Sequence, residues 1–375
     1  MKKIAYISIH PAPYRDAFLS RIVRTNSFSV DVYSVYSTDE GHKFWDLSDA
    51  EYDYVVLAPN GNCGLRVFVR LLRLFVFSRR YDVVIWPGYV NWCIRACIFL
   101  SAILGKRYGF VADTAVQRKL CWMARIVKGY FVRRASIISV VGCAGRRVFE
   151  KEYGINPNKI VEGAYSLDGL AIEARILSIR NTTREEIRNS LGIDNDATVF
   201  LMVANMIKTR HYPITSAGFI DFARNNPNCY FVMVGKGPEL EAMEKLAESN
   251  SCLRVIPGCS FDRMLSLYAA ADVYVHGGTE PASTALVIGA IAHLPLISSQ
   301  AVGCYHDVVK DGASGFSVED YLAPTDWRAA FSAANKAKEK WAEMGCQARA
   351  LSRKLDVDVV APDFIAHISR VVEVR

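Results

Sequence analysis

The chain has no C-x-x-C pair among its ten cysteines, no low-complexity tract and no internal repeat. The cysteine spacing argues against disulfides and a metal clip, and it predicts mostly buried, reduced thiols acting as small apolar residues. No stretch reaches the roughly 18 uninterrupted apolar residues that a membrane-spanning helix needs. The opening MKKIAYISIHPAPYR also lacks a long apolar core ahead of a small-residue cleavage site. These absences predict a cytoplasmic protein. Acidic residues are scarce in the first half: residues 1–170 carry 24 Lys+Arg against 14 Asp+Glu, a net of +10, and the remainder carries 21 against 24, a net of −3. A basic half suits an anionic membrane surface or a phosphate-bearing acceptor. No nucleic-acid-binding motif accompanies the charge, so that partner is not expected.

What is present is a globular composition, 51% hydrophobic over 375 residues, long enough for two cores. Short apolar runs alternate with helical patterns, the signature of parallel sheets with crossover helices. Strands are predicted at 3–9, 28–35, 53–58, 82–86, 107–112, 136–142 and 159–164, then at 197–205, 229–235, 253–258, 272–277 and 294–299. Strand signals fade around 165–180, which reads as a linker, and Thr183-x-x-Glu186 reads as a capping box opening the next helix. The expectation is a doubly wound domain over 1–168, a second over 169–355, and a C-terminal helix within 356–375 that packs back on the first. Ligands of open α/β sheets sit beyond the carboxyl ends of the strands, so two such domains facing across a cleft would place the site there.

The stretch GGTEPASTALVIGAIAHLPLISS, residues 277–299, sets one carboxylate, Glu280, before a small-residue helix start. Amides at such a start can cradle an anion. The second half resembles the retaining family-4 glycosyltransferases of GT-B fold, through TREEIRNSLGI, FLMVANMIKTR, VMVGKGPELEAMEKLAE, RVIPG, LYAAADVYVHGGTEP, LPLISS and VGCYHDVVKDGASGF in that order. HPAPYRDAF resembles the loop after the first strand in a bacterial subgroup. The resemblance implies an α/β fold of two Rossmann-like domains and a metal-independent hexosyltransferase-like enzyme that uses a nucleotide-sugar donor. It implies no cofactor.

By resemblance, Glu280 hydrogen-bonds donor-sugar hydroxyls and Arg210 stabilises the departing diphosphate, where relatives commonly have lysine. The donor side is expected at Asn205, Lys208, Gly235, Gly258, Cys259, Pro281, Ser283, Thr284, Ala285 and Ile288. Three positions depart from the family pattern: Ile288 where a ribose-gripping glutamate is usual, Asn205 where many relatives have an arginine, and His293 where a glycine is usual. His276 reads as structural. On the acceptor side the candidates are His10, Tyr14 and Arg15, with Asp113 either polarising an incoming hydroxyl or capping the helix that follows. Asp194-Asn-Asp196 and Asp356-Val-Asp358 read as turn or capping residues rather than metal ligands.

In LRVFVRLLRLFVF, residues 65–77, Arg66, Arg70 and Arg73 share one stripe among apolar residues. Either a crossover helix snorkels its arginines or a surface helix rests on anionic lipid, and the basic 125–134 segment leans toward the membrane's inner face. The expected function is transfer of a sugar, with retention, to a glycan or lipid-linked acceptor in surface polysaccharide biosynthesis. The alternatives are a catalytically silent GT-B scaffold and a nucleotide-sugar epimerase.

Overall fold

The structure, a computed structural model, describes residues 1–11, 13–37, 52–59, 64–89, 91–112, 122–163 and 166–373, with backbone only at 13 and 14. The chain forms two compact units, Met1–Asp168 with Leu355–Arg375, and Gly169–Lys354.

Strands of the first unit are β1 (Lys3–Ser8), β2 (Ser29–Ser34), β3 (Tyr54–Val56), β4 (Val83–Trp86), β5 (Tyr108–Ala112), β6 (Ile137–Val140) and β7 (Ile160–Glu162). They pair in parallel in the order β3-β2-β1-β4-β5-β6-β7. Valine and isoleucine dominate these strands because both faces are covered. One face packs Ile4, Tyr6, Val83 and Ile85 against Phe18 and against Val360, Phe364 and Ile368 of the C-terminal helix Val357–Glu373. Phe364 meets Phe18 edge-on at 5.3 Å. The other face packs Ile7, Trp86 and Phe110 under Leu71, Phe75, Ile94, Ile98, Phe131 and Phe149, which come from the helices after β3, β4, β5 and β6.

The second unit holds β8 (Thr198–Val203), β9 (Cys229–Gly235), β10 (Leu253–Pro257), β11 (Val273–His276), β12 (Leu296–Ser299) and β13 (Gly315–Val318), all parallel, in the order β10-β9-β8-β11-β12-β13. The order reverses between β8 and β11. At such a switch point an open sheet offers a crevice beyond the strand carboxyl ends. Asp272, just before β11, accepts the Val199 amide and pairs with Arg184 and the buried Arg188, which fixes β11 beside β8.

Three details differ from the sequence reading. Residues 169–182, read within a linker, form the helix Gly169–Thr182, which buries Ile172 and Ile176. The Thr183 box does not form: that helix runs straight into Arg184–Ser190, and the Thr183 hydroxyl donates to the Ile179 carbonyl rather than capping. The two helices abut, so the Thr183 carbonyl and amide are already committed to Ile187 and Ile179. β13 was also not predicted; GFSV is short and its glycine and serine dilute the strand signal.

Candidate active site

Two loops meet at the switch point of the second unit. After β8 the chain turns through Lys208–Arg210 as a short 3-10 segment, and His211 adopts a left-handed φ of 54° that redirects it into the helix Tyr212–Ala223. After β11 comes Gly277-Gly278-Thr279-Glu280, and the helix Thr284–Ile291 follows with Ser283 as its N-cap. The two loops are tied directly, since the Thr279 amide donates to the Thr209 carbonyl at 2.9 Å. The glycine at 278 leaves room for the side chains that gather here. A Cβ there would lie 2.8 Å from Arg210 Cδ and 3.0 Å from His276 Nε2.

The crossing brings Arg210 onto Glu280, with Nη2 2.5 Å from Oε2. The second carboxylate oxygen, Oε1, lies 2.6 Å from Nε2 of His276, which is fully buried at the end of β11. Tyr274 and Ser283 hydroxyls flank the other ring nitrogen, Nδ1, at 3.3 and 3.4 Å. The Ser283 hydroxyl also accepts the Leu286 amide at 3.2 Å, and the Glu280 carbonyl accepts the Gly303 amide at 2.8 Å. Glu280 is therefore held on three sides. Burial pushes its carboxyl up, yet the close contact with the His276 ring, the Arg210 charge and the Ser283 hydroxyl outweigh that and hold it below the ordinary value of 4.5. It stays ionised at neutral pH.

That direction fixes a sign. A carboxyl with a depressed folded value stabilises the fold above the ordinary value and loses that contribution as pH falls from 4.5 through the lowered value. Glu280→Gln is expected to be less stable than the parent at pH 7, with the gap closing in the acid range below 4.5. Urea unfolding of both proteins from neutral to acid pH checks this; a gap independent of pH contradicts it.

The other expected donor-side residues also lie beyond strand carboxyl ends. Asn205 and Lys208 are exposed after β8, Gly235 ends β9, and Gly258 and Cys259 follow β10. Pro281 is exposed, Ser283 is buried, and Thr284 and Ala285 are half-buried in the first turn of their helix. Ile288 is 3% exposed, so its side chain belongs to the interior of the unit. His276, read as structural, is the direct partner of Glu280; its i, i+4 spacing in HGGTE was the available signal. Lys236 was also passed over. Its aliphatic stem lies across Gly258, where a Cβ would sit 2.2 Å from Lys236 Cε, which sets a further cation beside Cys259. In VGKGPE the two glycines mark a turn, and no local pattern marks the lysine between them. His293, at φ 55°, lies 2.6 Å from Glu173, which also holds Arg349, so it is a structural element of this unit.

In the first unit His10 is buried and its carbonyl accepts from Arg15 at 3.2 Å. Tyr14 lies in the helix Pro13–Val23, and its side chain and all of Asp113 lie outside the described residues. Asp196 accepts the Asn228 amide and Asp358 pairs with Arg21, each a surface tie.

An open parallel sheet with a cationic loop and a capped helix start at its switch point is an arrangement that can hold a phosphate-bearing ligand. Residues 183–351 match the family described as Glycosyl transferases group 1. By fold the chain is similar to solved glycosyltransferases. Over 139 residues it is 28% identical to the alpha-monoglucosyldiacylglycerol synthase of Acholeplasma laidlawii, a match over 35% of this chain and 34% of that protein, about a third of its length. A glycosyltransferase from Rickettsia africae superposes with a TM-score of 0.79 at 11% identity, covering 100% of this chain and 99% of that one. Anabaena HepE, solved with UDP-glucose, superposes with a TM-score of 0.72 at 16% identity, covering 98% and 99%.

Proposed function

We propose that the protein transfers a glycosyl group from a nucleotide-sugar donor to a hydroxyl of a glycan or lipid-linked acceptor, with retention at the anomeric carbon, in surface polysaccharide assembly. The observation that carries this reading is the Arg210–Glu280–His276 cluster beside the capped start of the helix Thr284–Ile291. As the glycosidic bond of the donor breaks, negative charge grows on the diphosphate. The Arg210 guanidinium and the amides of Ser283, Thr284 and Ala285 supply fixed positive potential for it. Glu280, kept ionised and oriented by His276, accepts hydrogen bonds from sugar hydroxyls. In the ligand-free protein these two groups neutralise one another. A bound donor satisfies both at once, its hydroxyls taking the carboxylate and its phosphates the guanidinium.

Support for a uridine nucleotide comes from HepE, solved with UDP-glucose, and support for a glucosyl donor and lipid acceptor comes from the name of the Acholeplasma relative. A silent scaffold is the second reading, favoured by Ile288 and Asn205, which leave the ribose and phosphate without the usual charged partners. A panel of nucleotide sugars separates the two. One donor is expected to raise the unfolding temperature and, with acceptor, to release nucleoside diphosphate; no response to any donor or nucleotide supports the scaffold.

A further inference from the structure

We propose that the outer face of the helices at 65–76, 92–103 and 122–134 docks on the surface of an anionic phospholipid bilayer. All three lie side by side on one face of the first sheet, away from the C-terminal helix. Ring contacts join them at their outer edges, Phe68 to Trp92 at 5.1 Å and Phe99 to Tyr130 at 6.3 Å. In the helix Trp122–Arg134 the inward side is taken by Gly129, Phe131 and Val132. Its solvent side carries Trp122, Met123, Ile126, Val127 and Tyr130, exposed by 72%, 59%, 58%, 49% and 36%. These positions form one stripe at helical spacing. Trp92, Phe99 and Ile103, all exposed, extend the stripe onto the neighbouring helix. A contiguous apolar surface of this kind marks an interaction site rather than ordinary scatter.

Charge selects the occupant. Residues 54–149 hold 16 Lys+Arg and only 2 Asp+Glu, and residues 114–149 hold no carboxylate at all. Arg125, Arg133 and Arg134 are exposed on the same helix as the stripe, and Arg66, Arg70, Arg73 and Arg95 are exposed on the helices beside it. Pairing this face with a second copy would oppose like charges, which is costly. Anionic headgroups instead neutralise the arginines while tryptophan and isoleucine enter the headgroup boundary. The face also has a direction. Only two residues separate Arg134 from β6, so the helix ends at the amino edge of the sheet and Trp122 points its start toward the carboxyl edge. That edge is the one open α/β sheets use for ligands. Docking would therefore hold it near the headgroups, where a lipid-linked acceptor presents its hydroxyl. This last consequence rests on the transferase reading; the docking does not.

Flotation of the full chain with phosphatidylcholine vesicles, with and without phosphatidylglycerol, tests the proposal. Binding is expected only to the anionic vesicles and should weaken with salt. The double variant Trp122→Glu/Ile126→Glu should bind at least about tenfold more weakly. Arg133→Ser/Arg134→Ser should bind more weakly and lose part of the salt dependence. All four residues are exposed, so unfolding temperature and UDP binding should hold in both variants. The proposal is overturned by absence of binding to anionic vesicles, by equal binding to neutral ones, or by binding that survives the double variant. A change from dimer to monomer in that variant would also overturn it, since it assigns the face to a second copy. UDP binding is read separately, so failure of the donor site and failure of docking give different results.

Discussion

Arg210→Ala is expected to lower the transfer rate by about 10²- to 10³-fold, the scale seen when one donor to a developing negative charge is removed. The pair with Glu280 locates this guanidinium at 16% side-chain exposure, where water screens it weakly. Its removal leaves Glu280 ionised beside His276, so the sugar contacts persist and the loss should fall on the chemical step. Arg210→Lys keeps the charge but cannot span carboxylate and phosphate with one planar fork, so it should recover only part of the rate. Steady-state kinetics on the three proteins check this. A rate within a few-fold of the parent in Arg210→Ala would remove this residue from the mechanism.

Glu280→Ala carries the second large effect. Loss of a charge-assisted hydrogen bond costs about 1.5–3 kcal/mol, roughly ten- to a hundredfold in donor binding. The substitution also leaves Arg210 and the buried His276 without their shared carboxylate. Glu280→Gln restores shape but not charge, and should bind donor better than Glu280→Ala while remaining below the parent. Competition binding with an intact nucleotide sugar and with the free nucleoside diphosphate separates the contributions. The nucleotide sugar should lose more affinity than the nucleotide alone, because only the sugar touches this side chain; equal losses contradict that assignment.

All strands except β13 were legible because doubly wound folds bury both faces, so short apolar runs rich in β-branched and aromatic residues mark them, whereas the glycine and serine of GFSV dilute that signal. The helix Gly169–Thr182 was hidden in what read as a linker because its polar and apolar residues lack a clean stripe. Glu280 and the helix start at Ser283 stood out in sequence because a lone carboxylate precedes a run of small residues, and Arg210 was placed by resemblance to the family. Their mutual contact was not legible: it depends on β8 and β11 becoming neighbours although 69 residues separate their ends. The role of His276 followed the same rule. It lies inside a strand and reads as core until the turn at Gly277 and Gly278 folds Glu280 back over it. Lys236 was obscured for a different reason, since only the left-handed Gly258 on the next strand end makes room for its stem.

The central claim is that the Arg210 guanidinium grips the diphosphate of the donor. Calorimetric titration of UDP and UMP into the parent and Arg210→Ala tests it most directly. The parent should prefer UDP, and the variant should lose most of that preference while its affinity for UMP stays the same. An unchanged preference, or equal losses for both nucleotides, would contradict the claim.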